Sequence, residues 1–531
     1  MTEPADKPTG AHTTISLQGA PHSPRERGLV PTLTIAFHPD VGRIGDTVGF
    51  GTRLELSRNQ PDFSADDGAR APLADPVLSR RPIVLERLPT GNAAIHPAQG
   101  GNPTRLDGHP LVEPTVVTAA DLDRGVVIEI ADRVVLLWHW SAPAVDPGPD
   151  LGLVGANDAV CALRRDIERV APLATAVLIR GESGVGKELV ARALHRAGTR
   201  AHRPLVSVNM AAVPASTAAS ELFGHHKGAF TGAVSHHGGY FVQADGGTLF
   251  LDEIGETPFD VQAMLLRAIE TGEIRPLGAH EPRRVDVQLI AATDTDLQAA
   301  VEAGRFRLPL LHRIAGVELV VPPLRARRDD IGRLFIHFLR EELARTGEPE
   351  RLAPPAPGTP TWLPLALMTR LLRHDWPGNV RQLRNLARQV AVANYGEPGF
   401  RLPPAVAALL DPIQPTPAPS ASPPPRRRSA EAVRRGPRNQ LDISDDDLLA
   451  ALRANRWRPA PTAKALGIAR TSLYKLMNQS ERIRKARDIP RPELEACAAR
   501  YRGNLDAMAE ALEVSKRGLK LRMTELGINP L

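Results

Sequence analysis

The sequence predicts a multidomain protein: an all-β domain, then an α/β domain of the P-loop type, then small all-α units at the C-terminus. Three observations support this fold class. Short apolar runs bounded by Gly, Pro and Asp fill residues 29–145, and apolar strands alternate with helical periodicity over 151–410. A helical pattern then recurs from about residue 441. A chain of 531 residues is also too long for one ordinary core.

Composition limits the location of the protein more than its partners. The net charge of +6 permits a nucleic-acid partner, but an arginine-rich composition can also follow from genome base composition. Cys161 and Cys497 lie too far apart for a metal motif or a disulfide framework, which fits a reducing compartment. Residues 1–10 have no apolar core, and no apolar run is long enough to span a bilayer. We therefore expect a cytoplasmic protein with no membrane contact.

Two segments of the chain are expected to lack a folded core. Residues 1–28 are polar and contain many turn formers, which predicts a disordered leader. Residues 411–440 contain eight prolines and six arginines against two acids, which predicts an extended basic tether.

The all-β prediction for residues 29–145 rests on runs rich in branched apolar residues. Their pairing into sheets stays open at this level. The runs are Leu33–Phe37, Ile83–Glu86, Val126–Ile130 and Val134–Trp138.

A phosphate-binding loop is predicted directly after the apolar strand Ala176–Ile179. Its glycines let backbone amides surround phosphate groups at a helix N-terminus, and Lys187 neutralises the β- and γ-phosphates of ATP. Glu188 stands where the usual motif has Ser or Thr. The predicted nucleotide-binding residues are Gly181, Glu182, Ser183, Gly184, Val185, Gly186, Lys187 and Glu188.

Two acids at the end of a later apolar strand would complete a phosphoryl-transfer site. Asp252 and Glu253 follow Thr248–Leu251, and such a strand end faces the P-loop. Asp252 is predicted to hold Mg²⁺ and Glu253 to polarise the attacking water. The alternative is an acidic strand end in an ordinary turn.

Between these two motifs, Gly228–Ala233 reads Gly-Ala-Phe-Thr-Gly-Ala. With this run, the region 151–408 resembles the AAA+ core of sigma-54-dependent activators, the bacterial enhancer-binding proteins. In that comparison Glu188 is the usual family residue, residues 151–320 are the α/β subdomain and residues 321–410 the helical lid. Further matches in the family's order are Glu221–His225, Leu265–Ile269, Phe306-Arg307, Pro322–Arg325 and Trp376–Arg381.

The resemblance implies an ATP-hydrolysing ring, expected to be a hexamer. Arg307 and Arg313 of one subunit would reach the γ-phosphate bound by its neighbour. Arg381 would sense the nucleotide from the lid, and Asn209 would pair with Glu253 until ATP is seated. The ring would remodel sigma-54 RNA polymerase for open-complex formation through a mobile loop. The residues of that loop are Gly228, Ala229, Phe230, Thr231, Gly232 and Ala233.

Two positions depart from the family pattern. Asp294 replaces the usual Asn of a sensor position, and Leu308-Pro309 replaces Glu-Asp after Phe306-Arg307. An extra carboxylate repels phosphate unless a cation compensates, and a proline can shift a helix start. These departures keep a non-hydrolysing DNA-binding repressor open as an alternative. Another AAA+ machine, such as a helicase loader or an unfoldase, is a second alternative.

The C-terminal part is predicted to bind enhancer DNA. Residues 461–477, in the unit 441–488, resemble a Fis-type helix-turn-helix with its turn at Gly467. Arg470, Ser472 and Lys475 would lie on the exposed side of its recognition helix. Residues 489–531 repeat the pattern at an offset of 46 residues, either as a second DNA reader or as a dimerisation element.

The N-terminal β domain resembles a forkhead-associated (FHA) module, which reads phosphothreonine. The resemblance rests on residues 54–58, 75–80 and 102–108. It implies that Arg58, Ser79 and Asn102 contact phosphate and peptide backbone, with Arg43 as a second candidate for the phosphate. Pro82 and Pro103 replace the module's usual His and Gly, so a purely structural β domain is the alternative. Control by a Ser/Thr kinase or a phosphothreonine-bearing partner would follow from phosphopeptide binding.

Overall fold

The computed structural model describes residues 15–16, 28–143, 148–230, 233–356, 358–410 and, with internal gaps, 445–526. The chain divides into two compact units, residues 1–417 and 418–531. Within the segment predicted as a disordered leader, residues 15–16 form a short strand, β1 (Ile15–Ser16). The predicted tether 411–440 lies outside the described residues.

The first part of unit one is the all-β domain that the strand pattern predicts, and it consists of two antiparallel sheets, whose pairing the sequence left open. One sheet has the strand order β10-β9-β12-β13-β2-β3-β5-β6 and the other β11-β8-β7-β4. The elements are β2 (Val30–Phe37), β3 (Thr47–Gly49), β4 (Arg53–Leu56), β5 (Phe63–Ser64), β6 (Arg70–Ala71), β7 (Ile83–Arg87), β8 (Ala93–His96), β9 (Thr104–Leu106), β10 (His109–Pro110), β11 (Thr115–Val117), helix α1 (Ala119–Arg124), β12 (Val126–Ile130) and β13 (Val134–Ser141).

Strand β13 is covered on both faces, which explains its nearly continuous apolar sequence. Leu136 and Trp138 point into the core between the two β sheets. Val135 and Leu137, on the opposite face, belong to a second core that contains helices from much later in the chain. A strand buried on both sides loses the usual polar alternation, because neither face meets water.

The α/β part is a parallel sheet with helices around it. Its strand order is β1-β20-β14-β19-β16-β15, so the leader strand β1 lies beside β20 at one edge. The elements are α2 (Asp158–Val170), β14 (Val177–Arg180), α3 (Lys187–Ala197), β15 (Leu205–Asn209), α4 (Ala218–Phe223), α5 (Tyr240–Gln243), β16 (Thr248–Asp252), α6 (Phe259–Thr271), the hairpin strands β17 (Glu273–Ile274) and β18 (Arg283–Arg284), β19 (Gln288–Thr293), α7 (Leu297–Glu302), α8 (Leu308–Ile314) and β20 (Val317–Val320).

A helical lid follows the sheet. Its helices bury one apolar face each, and Phe335, Leu371 and Leu383 from three of them meet in one core. This is the same core that receives Val135 and Leu137 of β13. The helices are α9 (Asp329–Thr346), α10 (Leu365–Arg373), α11 (Asn379–Ala393) and α12 (Pro404–Leu410).

Unit two is all-α in its described residues and contains two separate small cores. The repeat is visible in them, because Leu448 and its counterpart Leu494 are both buried, as are Leu473 and Leu519. The predicted DNA-contacting residues Arg470, Ser472 and Lys475 lie outside the described residues. The helices are α13 (Asp445–Ala454), α14 (Pro459–Leu466), α15 (Arg491–Arg500), α16 (Leu505–Ala511) and α17 (Lys516–Glu525).

Across the described part of the chain, no helix combines the length and the apolar character needed to cross a membrane.

Candidate functional site

The P-loop joins β14 to α3, in the strand–loop–helix context that the sequence predicts. Gly184 and Gly186 have φ angles of 80° and 106°, in the left-handed region that side chains disfavour. A Cβ at Gly184 would also lie 2.5 Å from the carbonyl oxygen of Gly378 in the lid. Both positions therefore require glycine for the turn, and Gly184 requires it also for the close approach of the lid.

Lys187 begins α3 and points across the P-loop rather than into solvent. Its ammonium group donates a hydrogen bond to the carbonyl oxygen of Gly181 at 2.9 Å. It also lies 3.6 Å from Oε1 of Glu253, and the lysine side chain is 7 % exposed. The P-loop and the acidic end of β16 thus meet at Lys187, as the sequence analysis expects of such a strand end.

Asp252 and Glu253 lie at the carboxyl end of β16, but they face different partners. Glu253 has a φ of 52°, which turns its side chain toward Lys187. Asp252 is in register with Asn209 of the adjacent strand β15, and the Asn209 amide donates to Asp252 Oδ2 at 3.3 Å. The expected contact between Asn209 and Glu253 is therefore wrong for this structure, because strand register brings Asn209 to Asp252 instead.

The environment of the two carboxyl groups favours their neutral forms. Burial raises the pKa of Asp252, and the positive charge of Lys187 opposes the shift. Burial also raises the pKa of Glu253, Lys187 again opposes it, and the charges of Asp294 and Asp252 add to it. A bound divalent cation would offset this concentration of negative charge.

The lid contacts the P-loop through residues that the sequence analysis did not assign to the site. Arg325 binds both carboxylate oxygens of Glu182, at 2.8 and 2.5 Å. The buried amide of Asn379 donates to Glu182 Oε2 and to the carbonyl oxygen of Ser183, both at 3.1 Å. Hydrogen bonds from Arg325 and Asn379 lower the pKa of Glu182 to about 2. Both residues belong to motifs noted for the family, but their mutual contact depends on the folded lid.

Arg381, the predicted nucleotide sensor of the lid, lies beside the P-loop. Its guanidinium donates to Ser183 Oγ at 3.2 Å, and its backbone N–H donates to the carbonyl oxygen of Gly184 at 3.1 Å. Helix α11 thus brings one cationic side chain over the phosphate-binding loop.

Arg307 and Arg313 lie away from the P-loop of their own subunit. Arg307 donates to the carbonyl oxygen of Phe259 at 3.1 Å and stacks on that ring, and Arg313 donates to the carbonyl oxygen of Ile269 at 3.3 Å. Helix α8 begins at Leu308 with Pro309 in its first turn, a position where a missing N–H costs nothing. Pro309 is therefore accommodated without breaking the helix that carries Arg313.

The loop Gly228–Ala233 is closed at its base. The backbone N–H of Gly228 donates to the carbonyl oxygen of Ala233 at 2.9 Å, and Ala233 donates in turn to Phe230 at 3.0 Å. The ring of Phe230 is 43 % exposed and contacts His225 edge to face. Thr231 and Gly232 lie outside the described residues. An apolar side chain held at a solvent-facing turn is available to a partner.

Arg58, Ser79 and Asn102 line one small cleft in the β domain, together with Arg81. Arg58 donates to the carbonyl oxygen of Pro76 at 3.0 Å, and the Asn102 amide donates to that of Val77 at 3.1 Å. The Asn102 side-chain oxygen accepts from the N–H of Ser79.

Arg43, the second candidate for phosphate, does not line this cleft. Its guanidinium is used by Asp46 and by the carbonyl oxygens of Ala71 and Pro72. Arg81, which the sequence analysis missed, directly follows the run Asp75–Arg80 that carries the FHA resemblance.

The segment 155–157 is held by the buried carboxyl group of Asp330. Asp330 accepts from the backbone N–H groups of Ala156 and Asn157 at 2.6 and 3.1 Å. Arg327, beside it, donates to the carbonyl oxygen of Val185 in the P-loop at 3.4 Å. Burial raises the pKa of Asp330 to about 7, with Asp329 adding to the shift and Arg327 opposing it.

The comparison with known proteins gives two family models in consecutive order. Residues 153–320 match the model described as Sigma-54 interaction domain, and residues 325–398 match the AAA+ ATPase lid domain.

The similar proteins are bacterial regulators. The DNA-binding transcriptional regulator NtrC of Escherichia coli K12 is 40 % identical over 344 residues, which cover 62 % of this chain and 71 % of NtrC. The transcriptional regulatory protein ZraR of Klebsiella oxytoca is 42 % identical over 327 residues, 62 % of this chain and 68 % of ZraR. A crystal structure of NtrX from Brucella abortus in complex with ATP aligns with 29 % identity and a TM-score of 0.43, covering 62 % of this chain and 68 % of that one.

The pKa of Asp330 leads to a prediction about pH. Because the folded state holds this proton more tightly than the unfolded chain does, stability should fall as pH rises through about 7. Asp330→Asn stays neutral and keeps an acceptor for the two N–H groups. The difference in thermal midpoint between wild type and Asp330→Asn should therefore shift in favour of the variant between about pH 6 and about pH 8. The control is Asp260→Asn, at an exposed position. A thermal-midpoint difference between wild type and Asp330→Asn that stays constant with pH would contradict the raised pKa of Asp330.

Asp294 leads to a prediction about nucleotide affinity. This exposed residue directly follows β19 and adds negative charge beside Glu253. Asp294→Asn removes that charge, so the KM for ATP should fall about fivefold, equivalent to about 1 kcal/mol for a partly screened pair. The control is Asp286→Asn, an exposed acid near the opposite end of the same strand. An unchanged or higher KM in Asp294→Asn would show that the charge does not act on ATP.

Proposed function

Because the chain belongs to the family of sigma-54-dependent transcriptional regulators that includes NtrC and ZraR, we propose that its AAA+ ATPase hydrolyses ATP with the residues grouped around Lys187. The Gly228–Ala233 loop then uses this hydrolysis to remodel sigma-54 RNA polymerase. One observation carries the proposal: Lys187, Asp252 and Glu253 meet at the end of β16, beside the P-loop. That arrangement supplies the charge and the base that phosphoryl transfer needs.

The donor set fits Mg²⁺. Asp252 offers carboxylate oxygens, and Mg²⁺ is typically held by one or two carboxylates together with substrate phosphates and water. When bound, Mg²⁺ would neutralise charge that develops on the phosphates.

The side chains then have separate roles in hydrolysis. The amides of residues 181–186 and the ammonium group of Lys187 hold the β- and γ-phosphates. Glu253 orients a water molecule and accepts its proton. Arg381 approaches from the lid, where its contact with Ser183 places it beside the phosphates.

Arg307 and Arg313 are assigned to a neighbouring subunit's nucleotide. Their contacts are with carbonyl oxygens of α6, and Arg313 is exposed. A homo-oligomeric ring, expected to be a hexamer, would bring such side chains to the adjacent ATP. Neutralising the γ-phosphate from outside would make hydrolysis depend on assembly.

The terminal parts supply location and control in this proposal. Arg470, Ser472 and Lys475 of a Fis-type helix-turn-helix would read enhancer DNA, with residues 489–531 as a second reader or a dimerisation element. The FHA-like cleft at Arg58, Ser79 and Asn102 would bind a threonine that a Ser/Thr kinase has phosphorylated. Two small apolar cores in unit two and the convergence of the three cleft residues support these assignments.

The decisive test separates ATP hydrolysis from remodelling of the polymerase. Thr231→Ala should abolish ATP-dependent open-complex formation by sigma-54 RNA polymerase, because the loop loses its contact, while most ATPase activity remains. Ser235→Ala removes an exposed hydroxyl just outside the loop and should leave both activities unchanged. Undiminished promoter opening by Thr231→Ala would overturn the loop assignment, and absence of ATPase in the wild-type protein would favour the non-hydrolysing repressor.

A further inference from the structure

The β domain and the lid share one apolar core instead of meeting through a hydrated polar interface. Phe37 and Val135 of the β domain lie in the same buried cluster as Phe335 and Leu371 of the lid. The fit is close, since a Cβ at Gly332 of α9 would lie 2.6 Å from the carbonyl oxygen of Ala36 in β2. Such packing resembles a protein interior, which transmits displacement because it cannot be compressed.

Ion pairs surround this core on the side of the β domain. Arg333 of α9 pairs with Asp66 and donates to the carbonyl oxygen of Gly45 at 3.1 Å. Arg373, at the end of α10, pairs with Glu129 of β12 at 3.2 Å. The lid is thus attached to the β domain at two separated points.

One buried ion pair connects the lid to the FHA-like cleft at Arg58, Ser79 and Asn102, which we call the phosphate cleft. Asp75 begins the short loop 75–79 that carries Ser79, and its side chain is 3 % exposed. Arg133 binds Asp75 through Nε at 2.9 Å and donates through Nη1 to the carbonyl oxygen of Thr359, just before α10, at 2.5 Å. A single guanidinium therefore holds both the cleft loop and the lid.

A ligand in the cleft would disturb the bonds that hold this loop. Arg58 and Asn102 bind the loop at Pro76, Val77 and Ser79, and these are the groups that a phosphate would recruit. Bonds to an anion are stronger than bonds to a neutral carbonyl, so the ligand competes with the loop for the Arg58 guanidinium. The loop would move, and Asp75 with it.

The other side of the lid reaches ATP. Asn379 and Arg381 of α11 contact the P-loop at Glu182, Ser183 and Gly184, and α11 packs on α9 in the shared core. A displacement of α10 and α9 would therefore change how α11 lies over the phosphates.

We propose that the phosphate cleft of the β domain and the ATP site are energetically coupled through the Asp75–Arg133–Thr359 link and the lid. The regulatory direction of this coupling rests on the proposed phosphopeptide binding. Coupling between two sites is reciprocal, so nucleotide must change the affinity of the cleft for a phosphopeptide by the same factor by which the phosphopeptide changes the affinity for nucleotide. We expect this change to be visible in the cleft loop.

The first test uses nucleotide alone. Hydrogen exchange of the amides of Val77, Leu78 and Ser79 is measured in the full chain, with and without a non-hydrolysable ATP analogue. Their exchange should change roughly fivefold or more in the wild type, the lower end of typical coupling. Arg133→Gln should abolish that change, while Arg124→Gln, which removes an exposed arginine of the same domain, should retain it. No change in the wild type, or an equal change in Arg133→Gln, would overturn the proposal.

Loss of Arg133 leaves Asp75 buried without its partner, which can unfold the domain. The double variant Asp75→Asn with Arg133→Gln removes both charges and keeps an acceptor for the N–H of Val77, which now donates to Asp75 Oδ1 at 2.9 Å. This variant should fold with a thermal midpoint near that of the wild type and still show no nucleotide response in the loop. A response of wild-type size in the folded double variant would contradict the link.

The second test distinguishes the coupling between the two sites from the binding of a phosphopeptide by the β domain. A degenerate peptide library centred on phosphothreonine, with its unphosphorylated twin, is tested for binding and for its effect on the KM for ATP. Binding that changes KM in the wild type but not in Arg133→Gln supports both ideas. Binding without any effect on KM overturns the coupling and leaves phosphopeptide reading intact. No binding, with a nucleotide response in the loop, overturns phosphopeptide reading and leaves the coupling intact.

Discussion

The buried side chain of Asn379 is the interaction on which the relation between lid and ATP site depends. Its oxygen accepts from the backbone N–H of Leu324 at 2.8 Å, and its nitrogen donates to both Glu182 and Ser183. The residue is fully buried, so the Asn379 amide nitrogen would lose both of its P-loop partners if the lid moved away. An unsatisfied buried group costs about 1–3 kcal/mol, which gives the lid a defined position over the P-loop.

The lid also shares a second buried core with the β domain, and this core determines how the β domain can act on the ATP site. A domain tethered by a linker can act only by blocking a surface or by recruiting a partner. A domain that shares a core with the lid can bias the lid directly, because any rearrangement must repack buried side chains. The contacts of Arg133, Arg333 and Arg373 give that bias specific points of attachment.

Local features of the site were predictable from the sequence, whereas its long-range contacts were not. Strand β14, the glycine turn after it and the position of Lys187 follow from residues close together in the chain. Strand β12 likewise has the bounds that its apolar run predicts. The partner of Asn209 depends on which strands are adjacent, and Arg325 and Asn379 reach Glu182 only after the lid has folded. The burial of β13 on both faces had a signal, since its apolar run lacks polar alternation, but the covering helices lie some 200 residues later. Family membership excludes the helicase loader and the unfoldase, while the roles of single site residues stay predictions.

Because the β domain and the lid share one buried core, the account predicts that they move as one body relative to the α/β sheet when nucleotide binds. Pulsed electron–electron double resonance on the full chain measures this motion most directly. Spin labels are placed at the exposed positions Val112 in the β domain, Val392 in the lid and Leu173 beside the sheet. The Val112–Val392 distance should stay the same in the nucleotide-free, ADP-bound and ATP-analogue states, while the Val392–Leu173 distance changes. A Val112–Val392 distance that broadens or shifts with nucleotide would contradict the account.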